Sequence, residues 1–302
     1  MDSPSFRCSA PVEAALREGR PIVALESSVF AQGLPRPQSG EAARRMLAAI
    51  LELGCVPAIT AVVAGEPRIG LSIAELADFI ESGSVSKAGA RDLPVAMARG
   101  RHAATTVSAS LVLSRGAGIE VLATGGIGGV HREPAFDESA DLVELARTPM
   151  IVVCAGAKSV LDLGATVERL ETLGVGVVGY RTDQFPGFLF AETGLPVAAV
   201  AEEIADVVAI YRAQRRLALS GALLVVRPPP PDVALGRDEV EAATREVIRE
   251  AERAGVRGSA STPYLLSALE RVTGGRSLTV NVSLLEANAR LASQIAAALA
   301  DA

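Results

Sequence analysis

Two hydrophobic rhythms alternate along the chain. Short apolar, β-branched runs at 21–25, 58–63, 121–123, 150–154, 176–178 and 223–226 lack the polar alternation of a half-exposed strand, so they predict strands buried on both faces. Between them, apolar residues recur at i, i+3 and i+4 over 40–53, 73–81, 106–114, 159–173 and 203–219, which predicts amphipathic helices. Buried strands joined by helices imply an α/β fold with a mostly parallel sheet covered on both faces, and ligands in such folds bind at the carboxyl ends of the strands.

The proline run 228–231 follows the last predicted strand and can continue neither a sheet nor a helix. Beyond it lie three helix-like segments, 237–254, 262–272 and 278–300, which read as a cap on the sheet rather than an independent unit. The expectation is therefore a single domain over 1–302.

Composition narrows the class. With 49 % apolar and 21 % charged residues, the chain has the material for a globular core. A net charge of −6, with no basic run interleaved with aromatics, argues against nucleic-acid binding but leaves room for a small anionic ligand in a local pocket. The first residues lack an apolar leader and no stretch is long enough to span a bilayer, so a cytoplasmic protein without membrane contact is expected. Cys8, Cys55 and Cys154 are odd in number and far apart, which predicts free thiols rather than disulfides or a zinc site.

One compositional fact bears on chemistry. Of 29 basic side chains only Lys87 and Lys158 are lysines. Arginine does not lose its proton near neutral pH, whereas a lysine of depressed pKa becomes an amine nucleophile. Lys158 follows the apolar strand in MIVVCAGAKS, at the predicted carboxyl edge of the sheet and at the start of a predicted helix. Desolvation, the helix's positive end and a neighbouring cation would each favour its neutral form. The plain alternative is a helix-start lysine facing water.

Glu26 ends the run IVALE, where an apolar setting raises a carboxyl pKa and suits a proton donor, or where the carboxylate simply accepts hydrogen bonds from the next turn. TGGIGGVHR at 124–132 follows a strand, so its glycines permit close approach to a phosphate, although such turns also arise for steric reasons. His131 closes that loop as a further donor or as a structural residue. Asp137, Ser139 and Asp141 precede and enter a helix, where they act as caps or hold a hard divalent cation.

Taken together, these segments resemble the pseudouridine-5′-phosphate glycosidase, or indigoidine synthase A-like, family. The resemblance runs in order through ALESS (24–28), GLPRPQ (33–38), Lys87 with RDLP (91–94), ATTVSAS (104–110), TGGIGGVHR, SADLVELARTP (139–149), CAGAKS (154–159), LETLGV (170–175), GYRTDQFP (179–186), TPYLL (262–266) and TGGRSL (273–278), ending with Asn281 and Asn288. It implies a three-layer α/β/α sandwich around a mixed, mostly parallel sheet, a homotrimer, and an enzyme that reversibly cleaves the C1′–C5 bond of pseudouridine 5′-phosphate to uracil and ribose 5-phosphate. By the same resemblance Lys158 is the covalent nucleophile, Glu26 the proton donor and Asp137 the ligand of Mn²⁺. Substrate positions fall on Lys87, Val107 through its backbone, and Ser139, Ala140 and Asp141, with His131, Thr124 and Asn281 near phosphate or base. The chain departs from the family pattern at Ser28, Gln32, Gly89, Ala90 and Ala287, and its 131–137 loop is shorter. Those departures leave two alternatives: action on another phosphorylated ribosyl compound, or a non-catalytic phosphosugar-binding protein.

Overall fold

The computed structural model describes residues 6–81, 84–133, 137–256 and 261–301. Its centre is built from the apolar runs: β2 (Ile22–Glu26), β7 (Val121–Ala123), β8 (Ile151–Cys154) and β11 (Leu223–Val226) lie side by side, parallel and buried along their whole length. Beyond β11, β9 (Gly176–Tyr180) and β10 (Ala199–Ala201) extend the sheet in parallel. Beyond β2 come β3 (Val56–Val63), β4 (Glu66–Ile69) and β1 (Arg7–Cys8), with β3 and β4 antiparallel. Two further short strands complete an 11-stranded mixed sheet.

Those two strands decide where the site lies. β3 pairs with β2 from Val56 to Thr60 and then overhangs the end of β2 by Ala61, Val62 and Val63. The overhang is met antiparallel by β6 (Ala103–Thr105), which pairs in parallel with β5 (Ser86–Ala88). Both strands therefore run back toward the carboxyl end of β2, carrying Lys87 and the segment after Thr105 with them. Buried hydroxyls fasten this seam: the Thr105 amide donates to Ser27 Oγ at 2.9 Å, and Thr105 Oγ1 donates to the Thr60 carbonyl at 2.7 Å.

Helices cover both faces, giving the expected three layers. In one layer α5 (Val107–Gly116) packs over β2 and β3 and against α6 (Ala140–Leu145). In the other, α11 (Arg276–Ala300) crosses β2, β7 and β8 and packs on α2 (Gln38–Leu51) and α8 (Ile204–Arg216). The apolar stripe of α11 includes Val280, Leu284, Leu285, Leu291 and Ile295, all buried.

Two expectations change. The last predicted helix is not part of a cap: α11 is a central layer element, and only α9 (Arg237–Arg253) and α10 (Ser261–Val272) pair with each other above it. The predicted 159–173 helix starts late, as α7 (Leu163–Thr172), because Asp162 accepts from the Ala165 amide and caps it there. Lys158 thus precedes a turn rather than the helix start itself. Among the described residues no helix is long and apolar enough to cross a membrane, and all three cysteines are free.

Candidate active site

Parallel pairing of β2, β7 and β8 brings Glu26, Thr124 and the Ala155–Ala157 turn leading to Lys158 to one edge of the sheet. Above this edge lies a cavity of about 430 Å³ lined by Glu26, Lys87, His131, Asp137, Ser139, Ala140, Asp141 and Lys158. Eight of the eleven residues expected from the sequence therefore share one space. The chain's two lysines meet there, although they come from strands far apart in sequence.

Glu26 is 4 % exposed and receives two hydroxyls: Ser28 Oγ at 2.6 Å, and Thr124 Oγ1 on the other carboxyl oxygen. Burial pushes its pKa above the ordinary carboxylate range; Lys158 and the two hydroxyls pull it down, and Asp141 adds to the rise. Glu26 thus accepts local hydrogen bonds, while burial favours its protonated form. Lys158 Nζ donates to the Gly126 carbonyl at 2.6 Å.

Lys87, on β5, is shifted below the ordinary lysine range by burial and then by Lys158, with Glu26 and Asp141 opposing. His131 is also shifted down, first by burial and further by Lys87 and Lys158, while Asp137 opposes. Lys87, Lys158 and His131 share the wall with Glu26, Asp92, Asp137, Glu138 and Asp141, so cationic donors and carboxylates face the same space.

Asp141 has a different job from the helix cap or cation ligand first considered. Buried to 5 % exposure, it accepts from the Ser108 amide and the Gly128 amide, each at 2.9 Å, and so ties the start of α5 to the glycine loop. The cap of α6 is Ser139, whose hydroxyl accepts from the Asp141 amide. Gly128 is required for space: a Cβ there would lie 2.2 Å from Ser139 Oγ. The glycine loop is thus packed against protein on this side, in keeping with its steric reading.

Three expected residues lie outside the cavity wall. Thr124 sits beneath Glu26, holding it. Val107 is buried at the first position of α5, with its neighbours Thr106 and Ser108 on the wall, so only its backbone is placed to act. Asn281 lines an adjoining space of about 250 Å³, which shares Gln32, Gly33, Pro263 and Leu266 with the main cavity. Part of the shorter 131–137 loop, residues 134–136, lies outside the described residues.

Asp137 is half-buried, and among the described residues no group of three or more acidic, histidine or cysteine side chains converges as a metal cage. On the same wall Glu26, Asp92, Glu138 and Asp141 all accept from protein donors, which makes Asp137 the candidate carboxylate for a cation. That donor set fits a hydrated divalent ion, which needs one or two carboxylates and completes its shell with water and substrate oxygens. Sequence reasoning missed Ser28 as a partner of Glu26 and missed the hydroxyls of Thr106 and Ser108. A serine two residues past a strand-end glutamate was the available signal for the first.

The family model described as "Indigoidine synthase A like protein" matches residues 11–298. A pseudouridine-5′-phosphate glycosidase of Gemmatimonas aurantiaca is 54 % identical, covering 98 % of this chain and 96 % of its own. Another, of Caldanaerobacter subterraneus, is 47 % identical over 96 % and 95 %. Among solved structures, an indigoidine synthase A-like protein of Thermotoga maritima superposes with a TM-score of 0.90 at 37 % identity, covering 98 % and 96 % of the two chains. A prealnumycin C-glycosynthase in complex with ribulose 5-phosphate gives the same TM-score and identity over 99 % and 98 %. The chain belongs to the indigoidine synthase A-like family.

Proposed function

We propose that this chain reversibly cleaves the C1′–C5 glycosidic bond of pseudouridine 5′-phosphate, giving uracil and ribose 5-phosphate, with Lys158 as nucleophile and Glu26 as proton donor. The observation that carries this reading is the meeting of Lys158, Glu26 and Lys87 in one cavity. Near full-length similarity to glycosidases of that name supports it.

A carbon–carbon glycoside has no leaving oxygen or nitrogen to protonate, so a carboxylate pair alone suits it poorly. An amine avoids the problem. Lys158 Nζ attacks C1′, the C1′–O4′ bond breaks, and O4′ takes a proton. Glu26, whose burial favours the protonated form, supplies the proton needed on the uracil side; the C1′–C5 bond then breaks as the nitrogen lone pair forms C1′=N, C5 keeping the bonding pair with its new proton. Water adds to the iminium carbon, releasing ribose 5-phosphate and restoring the amine. Lys87 and His131 face the phosphate as donors, and Ser139, Ala140, Asp141 and the Val107 backbone define the sugar's place. Asn281 contacts the base from the adjoining space. Asp137 would hold a divalent cation, Mn²⁺ in this reading, which when bound orders sugar or phosphate oxygens.

Residues 1–302 act as one catalytic unit in the cytoplasm, where free thiols persist. We assign it a homotrimer, with Val95 and Met97 on α4 (Leu93–Ala98), Val112 on α5 and Val143 on α6 offering exposed apolar surface for a partner copy.

Borohydride reduction with ribose 5-phosphate is expected to leave a stable adduct on Lys158, and pseudouridine 5′-phosphate to yield free uracil. Adduct without uracil would point to another phosphorylated ribosyl compound, a reading favoured by the pentulose phosphate in the C-glycosynthase relative. Phosphate binding with no adduct would leave only the binding protein.

A further inference from the structure

The proton donor is held in place by a residue of the opposite layer. We propose that Asn288, on α11, is a positioning residue for Glu26, acting through the Thr124 hydroxyl. This rests on Glu26 as the proton donor of the reaction above.

Asn288 is 1 % exposed. Its Nδ2 donates to the Thr124 carbonyl at 2.8 Å and to the Gly125 carbonyl at 3.3 Å. These carbonyls come directly after β7, where that strand's pairing with β2 stops at Leu25 and Ala123. Asn288 therefore supplies, from a helix, a donor that fixes the backbone where the ladder ends. With its backbone fixed from both sides, since the Thr124 amide also donates to the Val153 carbonyl at 3.0 Å, Thr124 turns its hydroxyl onto Glu26 Oε1.

The orientation of the amide is not arbitrary. Reversed, Asn288 would press its oxygen against two carbonyl oxygens. As it stands, Oδ1 is buried with no partner among the described residues. A purely structural position on an apolar helix face would be better filled by an aliphatic side chain, because an unmade buried acceptor is destabilising. The retained amide is explained by what its other end holds.

The groups facing Glu26 are Ser28, Thr124, Lys158, Lys87 and Asp141. Of these, Thr124 is the one that Asn288 touches. Loss of Asn288 removes the restraint on Thr124, weakens its hydrogen bond to the carboxylate and favours the protonated acid.

The test reads Glu26 without requiring turnover. Infrared difference spectroscopy across a pH series follows the carboxyl C=O band assigned by its loss in Glu26→Gln. Asn288→Ala is expected to move that titration to higher pH, as Thr124→Val does. The double variant should move it no further than Thr124→Val alone, because both act on one bond. Ile295→Ala, a buried α11 change about two turns from Asn288, controls for loosening of the helix and should leave the midpoint in place. An unmoved midpoint in Asn288→Ala, or fully additive shifts in the double variant, overturns the proposal. If Asn288→Ala does not fold, Asn288→Leu serves: it keeps the size and loses the donor without adding a charge, and its upward shift must likewise vanish in the Thr124→Val background. Absence of uracil release by the unmodified enzyme would defeat the functional reading and leave this titration result standing.

Discussion

Replacing Asp141 by asparagine isolates the clasp between the two walls of the cavity. The carboxylate accepts from the Ser108 and Gly128 amides, each at 2.9 Å, in a place only 5 % exposed. Asparagine keeps one oxygen for one of these amides and turns an NH₂ group toward the other. Hydrogen bonds to a charged acceptor contribute about 1.5–3 kcal/mol each, and a buried donor left unmade costs about 1–3 kcal/mol. Charge is lost from one bond and the other is broken, so the expected destabilisation is about 3 kcal/mol. For a chain of this size that corresponds to a fall in Tm of roughly 6 °C. Calorimetry measures the fall, and amide hydrogen exchange locates it, since Ser108 or Gly128 should exchange faster in the variant. A Tm change within about 1 °C, against the expected loss, would refute the reasoning. A larger fall with both amides still protected would place the loss elsewhere.

Other perturbations follow from the same geometry. Lys158→Arg keeps the charge but not the nucleophile; uracil release should drop by at least about a thousandfold with circular dichroism unchanged, and retained turnover would exclude the imine. Glu26→Gln tests burial: the raised carboxyl pKa means that stability present below the unfolded value of 4.5 is lost as pH rises through the folded one. The variant's stability relative to the parent should therefore improve as pH rises above 4.5 in urea unfolding, and a relative stability that stays flat or falls with pH contradicts the assignment. Gly156→Ala should yield insoluble or strongly destabilised protein, because φ is +80° and the added Cβ would meet the Pro186 carbonyl oxygen at 1.9 Å; normal soluble yield counts against that packing. Met97→Glu with Val112→Glu should reduce the assembled mass in analytical ultracentrifugation, and an unaltered mass removes that face from the subunit contact.

The sequence made the centre of the sheet legible because buried parallel strands carry an unbroken apolar signal, as in IVALE and IVVC. It did not show β5 and β6, which are short and take their shape from the overhang of β3, a long-range partner invisible to local pattern. For that reason the arrival of Lys87 beside Lys158 was carried by the family resemblance and not by periodicity. The start of α7 was misplaced because the apolar spacing in SVLDLG continues through a turn, while the capping aspartate inside it sets the boundary. Asp141 looked like part of its own helix because acidic residues favour a first turn, yet its carboxylate reaches across to another helix. Asn288 entered only as part of the family resemblance, since one polar residue in a buried helix reveals its partners only in three dimensions.

The seam at the β3 overhang carries a consequence for how the protein matures. Its pocket recruits side chains from β2, β5 and the loop after β8, so no contiguous fragment contains a working half. Ligand affinity should emerge only at the final, global step of folding, and sugar phosphate should slow complete unfolding without protecting any single peripheral helix.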